Sequence, residues 1–126
     1  MIAQFNNLDD REVELMFKAP ILVCILIAGA DGVIDKSEIK ESLTIAKKQT
    51  HSKSMLTHYF EELSQDFEDK VKILIQSYPF EAALRTSTIL LELEGLNQIW
   101  TKLDKGFAKQ FYDALKKIAG QIASSS

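Results

Sequence analysis

The sequence predicts an all-α fold, a compact bundle of about seven helices, and three observations lead there. Apolar residues recur at steps of three and four along most of the chain. Only two prolines and five glycines interrupt its 126 residues. No stretch alternates apolar and polar residues for long enough to make a strand. Apolar residues form 46% and charged residues 26% of the chain, the balance of a folded globular protein. The length suits one domain, residues 1–126, with a core over about 8–122 and a frayed tail at Ser124, Ser125 and Ser126.

Taken in order, Asp9 with Glu12 three residues on reads as an N-cap and capping box. Val13, Met16 and Phe17 then make an apolar stripe. Pro20 lacks a donor and clashes with the preceding turn, which divides the region into helices over 9–18 and 20–30; one kinked helix is the alternative. The apolar helix stops at Gly29–Gly32. Asp35 with Glu38 opens the next one, whose face carries Ile39, Leu43 and Ala46. Leu56, Phe60, Leu63, Phe67, Val71 and Tyr78 continue the spacing, broken at Ser64-Gln65-Asp66 into helices over 54–64 and 66–78. Pro79 suits the first turn of a helix whose face runs Ile89, Leu93, Leu96, Trp100 and Leu103. Asp104 and Gly106 mark the turn before a last helix carrying Phe107, Phe111, Leu115, Ile118 and Ile122.

Composition excludes several classes of function. A net charge of −3 argues against a nucleic-acid protein, whose affinity would come from an overall basic surface. The single cysteine, Cys24, allows no internal disulfide and lies within Ile21–Ile27, where a thiol serves as a small core residue and suits a reducing cytoplasm. That apolar run, Ala19 to Ala30, is bounded by Lys18 and Asp31 and falls short of the about 20 residues that a membrane span needs. Met1 to Asp10 lacks a basic region ahead of an apolar one, so no signal peptide is expected.

The most informative segment is the acidic turn Ala30–Glu38. Asp31, Asp35 and Glu38 place three carboxylates close together, with Gly32 where a left-handed turn residue is easily accommodated. Against the calcium-loop pattern, Asp31 and Gly32 take the fifth and sixth positions, Asp35 the ninth and Glu38 the twelfth. The first and third positions are then Ile27 and Gly29, which offer no side-chain oxygen. Calcium wants about six to eight oxygens, so carbonyls, waters or distant acids must complete the site. The same residues also read as a helix junction, with Asp35 capping, Glu38 closing a capping box and Gly32 turning the chain. Both readings stay open, and Asp31 is the residue that the junction leaves unexplained.

The stretch Ile27-Ala28-Gly29-Ala30-Asp31-Gly32, then Val33-Ile34-Asp35 and Glu38 opening a helix, resembles the TerB-like (tellurite-resistance) domain family. The resemblance extends over about residues 10–120 and is concentrated in 20–48. It implies an all-helical domain in which Asp31, Asp35 and Glu38 bind a metal ion, and a setting in tellurite and stress responses; with the calcium-loop comparison, the expected ion is a divalent cation, calcium foremost. The family's second Asp-Gly motif is absent, because Trp100 to Phe107 contains Asp104 as its only acid. Overlaying Ile34–Glu38 on Leu103–Phe107 puts Asp35 on Asp104 and Glu38 on Phe107, a degenerate second half.

Other chemistry is sparse. His51 and His58 are expected at the surface, and Glu61, Glu62, Asp66, Glu68 and Asp69 as a solvated acidic face. There is no Gly-rich phosphate loop, Gly-x-Ser-x-Gly elbow or Cys-x-x-Cys pair, so no enzyme is expected. Lys36, Lys40, Lys47, Lys48 and Lys53 make a basic counterpart to the acidic face. Such opposite patches suit protein partners, a second copy among them. The expected function is an adaptor or sensor in a stress-response assembly; the alternative is a structural interaction module whose acidic turn binds no metal.

Overall fold

A computed structural model describes residues 2–29 and 55–125, and between them Ser37, Glu41, Thr44 and Lys48, which are helical. Five helices have eight residues or more among the described residues, rather than the seven expected. They are α1 (Asp10–Ala28), α2 (Thr57–Ser64), α3 (Phe67–Ser77), α4 (Ala82–Leu93) and α6 (Lys105–Ser125), with the single turn α5 (Leu96–Ile99) before the last. Two 3-10 turns, Ala3–Phe5 and Trp100–Lys102, complete the order, and the described residues include no strand. The all-α class is as the periodicity predicts.

The first correction concerns Pro20, which sits inside α1 and does not divide it. Proline in a helix interior removes one N–H, and here the carbonyl left open is that of Met16, four residues earlier. The hydroxyl of Tyr59 donates to that carbonyl, inside the core. A side chain from α2 thus replaces the missing backbone donor, and the two helices expected over 9–18 and 20–30 become one. The start of α1 is as expected. Asp9 Oδ1 accepts the Glu12 N–H at 2.9 Å, while Glu12 Oε1 accepts the Asp9 N–H at 3.0 Å.

The second correction lies between Pro79 and Leu103. Tyr78, ahead of the proline, is extended at φ −102°, ψ 157°, as pre-proline sterics require. The helix starts three residues after Pro79, because the Glu81 carboxylate accepts the N–H groups of Ala83 and Leu84 at 3.0 and 3.3 Å. It then stops at Glu94–Gly95 although the apolar stripe continues. A Cβ on Gly95 would meet Leu15 Cδ2 of α1 at 2.9 Å, so glycine permits a close approach at which the chain turns into α5. Ile89, Leu96 and Leu103 remain buried on either side of the break.

Helix α1 runs through the middle and packs against α6, α3, α4 and α5. An aromatic cluster fills the space beside it. Tyr59 meets Phe60 and Phe111 edge-on at 5.0 and 5.3 Å and stacks on Phe17 at 5.2 Å, while Phe5 meets Phe107 at 5.9 Å. Each such buried ring contributes about 3–5 kcal/mol relative to alanine. Cys24 is buried in this core. Asp104 caps α6, its Oδ2 accepting the Phe107 N–H at 3.0 Å.

Candidate functional site

Asp31, Asp35 and Glu38 lie outside the described residues, as do Gly32 and His51. The chain leading into the acidic turn is described as far as Gly29. Its N–H closes α1 onto the Ile25 carbonyl at 2.9 Å, and its own carbonyl accepts Arg85 Nη2 at 3.0 Å. Arg85 reaches there from α4 and also donates Nη1 to the Phe80 carbonyl at 3.0 Å. It is the one charged side chain in the described core, 5% exposed. A buried guanidinium needs strong acceptors, and among the described residues two carbonyls supply them. Sequence reasoning missed this residue. Its signal was position: Arg85 falls four before Ile89 and eight before Leu93, in register with the core stripe.

A cleft of about 630 Å³ opens where α3 and α4 lie against α1. Phe17 and Ile21 of α1 form its floor, with Ile73 and Leu74 of α3 on one wall and Thr88 of α4 on the other. Three polar groups meet at its edge. Glu92 Oε2 accepts the Tyr78 hydroxyl at 2.8 Å and lies 3.0 Å from Lys18 Nζ. Lys18 Nζ also stands 5.9 Å from the centre of the Tyr78 ring, within reach of its negative face. Desolvation, then the hydrogen bond to Glu92 and the negative charges of Glu92 and Glu14, push the Tyr78 phenol well above its ordinary range. A base or nucleophile at neutral pH needs the opposite shift. Lys18, Glu92 and Tyr78 thus engage one another, Glu14 and Lys70 also line the cleft, and the rest of its lining is largely apolar.

The remaining candidates separate. His58 is exposed, its Nδ1 3.5 Å from Glu61 Oε2. Glu61, Glu62, Asp66, Glu68 and Asp69 are exposed around the junction of α2 and α3, a solvated face as expected, and Glu68 pairs with Lys72 at 3.4 Å. Of the basic set, Lys48 is described and exposed. Among the described residues no three His, Cys, Asp or Glu side chains converge as metal ligands, and no helix is long and apolar enough to cross a membrane. Comparison with known proteins finds no matching family, no similar curated protein and no similar solved structure.

Proposed function

We propose that this chain is a non-enzymatic, TerB-like helical domain that acts as an adaptor or sensor in a cytoplasmic stress-response assembly. Its cation site is the acidic turn, with Asp31, Asp35 and Glu38 as ligands and calcium as the favoured ion. The observation that carries the binding reading is the α1–α3–α4 cleft, in which Lys18, Glu92 and Tyr78 engage one another beside a largely apolar lining. The cation reading rests on the sequence motif. Titration calorimetry with calcium, magnesium, manganese and zinc tests it, with heat expected for wild type and a weakened isotherm for Asp31→Asn. Absence of heat, or an unchanged isotherm in the variant, removes the metal.

A second reading, a structural interaction module with a metal-free junction, draws on two observations. Asp104, the counterpart of Asp35 in the degenerate second half, serves as a helix cap. Arg85 brings a buried positive charge to the residue two before Asp31, where a carboxylate is a better neighbour than a cation. Under this reading Asp31→Asn lowers the unfolding temperature in the presence of chelator, an effect that cation loss cannot produce.

A further inference from the structure

The outward face of α4 has no charged side chain along its length. Arg85 is turned into the core and Glu92 into the cleft, which leaves Leu84, Ser87, Leu90 and Leu91 facing solvent. Leu91 is 71% exposed, Leu84 54% and Leu90 47%. Ile73, which lines the cleft opposite Thr88, is 62% exposed, and Phe80, just ahead of α4, is 96% exposed. Scattered apolar side chains are ordinary on a protein surface, but a contiguous helix face without charge is a binding surface.

We propose that this face joins two copies of the chain, α4 packed antiparallel on α4 across a two-fold axis near Ser87. Three arguments select a second copy as the occupant. The face offers nothing for a charged partner to read, whereas its own duplicate is uncharged throughout and apolar at all but Ser87 and its neighbours on the axis. Leu84, Leu90, Leu91 and Phe80 present roughly 500 Å² per copy, the apolar centre of an interface that its polar rim brings toward the about 800 Å² per partner of a stable one. Antiparallel packing sets the two helix dipoles against each other and lays Leu84 of one copy on Leu91 of the other. The exposed charges that flank the face are Glu81 and Glu94, one at each end. Antiparallel packing brings each toward the other's counterpart, so added salt strengthens the dimer by screening them. This inference stands apart from the cation reading, because both copies associate with the acidic turn empty.

Sedimentation equilibrium on the full chain in chelator is the test. Wild type is expected to dimerise, more tightly at high salt. Leu84→Glu and Leu91→Lys each weaken association by roughly a hundredfold or more through a buried unpaired charge, with the helical circular dichroism unchanged. Mixing the two variants restores the dimer, because the carboxylate introduced in one then faces the ammonium introduced in the other. A chain that stays monomeric to several hundred micromolar overturns the proposal. So does a dimer indifferent to Leu84→Glu, a mixture that remains monomeric, or a monomer that binds lipid vesicles through this face. Should the charged variants unfold, Ser87→Cys decides: oxidation must yield a disulfide-linked dimer, since Cys24 is buried and cannot compete.

Discussion

Tyr59 compensates for Pro20. Its buried hydroxyl donates to the Met16 carbonyl, the acceptor that an N–H at position 20 would have served. Tyr59→Phe keeps the ring and removes the donor, leaving a carbonyl unsatisfied in the core at about 1–3 kcal/mol. In a Pro20→Ala background the new N–H takes over that carbonyl, so the cost of Tyr59→Phe falls by at least half. Urea unfolding of the four proteins measures this coupling; equal costs in both backgrounds would refute the compensation.

A second prediction concerns the clamp between Glu12 and Lys102. Lys102 Nζ lies 2.7 Å from Glu12 Oε2, tying the start of α1 to the 3-10 turn ahead of α6. That bond, then the one from the Asp9 N–H, holds the Glu12 carboxyl below its ordinary 4.5, and the same contact raises Lys102 above 10.5. The lowered acid stabilises the fold above pH 4.5 and loses its effect as pH falls below it; the raised amine does so below pH 10.5 and loses its effect above. Glu12→Gln keeps a capping box but lacks the charge. Its melting temperature should lie below wild type near neutrality, and the gap should close in acid.

Gly95→Ala tests the close approach of α1. The added methyl meets Leu15 Cδ2 and the Glu92 carbonyl, which calls for a shift costing about 1 kcal/mol. Trimming the obstacle with Leu15→Ala in the same chain should make the Gly95→Ala change smaller than it is alone. Thermal melts of the single and double variants give the answer.

Arg85→Met should cost about 3 kcal/mol by stranding the carbonyls of Gly29 and Phe80. Arg85→Lys retains the charge without the fork and should recover only part of the loss. Chemical denaturation distinguishes these outcomes from a side chain that merely fills space, for which methionine would be nearly neutral.

Local rules reached as far as local causes did. The Asp9–Glu12 box, the break at Ser64–Asp66 and the buried stripe through Ile89, Leu96 and Leu103 each follow from residues within a turn or two of one another. Pro20 misled because its compensation comes from Tyr59, 43 positions away from Met16. Ile2 and Phe5 are buried although no periodic pattern holds them, since a single 3-10 turn is too short to carry one. At the site, the acidic turn was visible as a spacing of Asp31, Asp35 and Glu38. The Lys18–Tyr78–Glu92 cluster was not, because its members come from α1, the end of α3 and α4, and only packing unites them.

The Arg85 guanidinium also acts as a clasp. Its bond to Gly29 spans 56 positions, and everything between, including the acidic turn, α2 and α3, belongs to one closed loop. Closing a flexible loop of that length costs about 3.5 kcal/mol in chain entropy. Once α1 and α4 are docked on the core that cost has been met, and α2 and α3 pack between fixed ends. Undocking the start of α4 from α1, with the clasp open, returns that freedom all at once, so α2 and α3 should gain and lose their amide protection together with it.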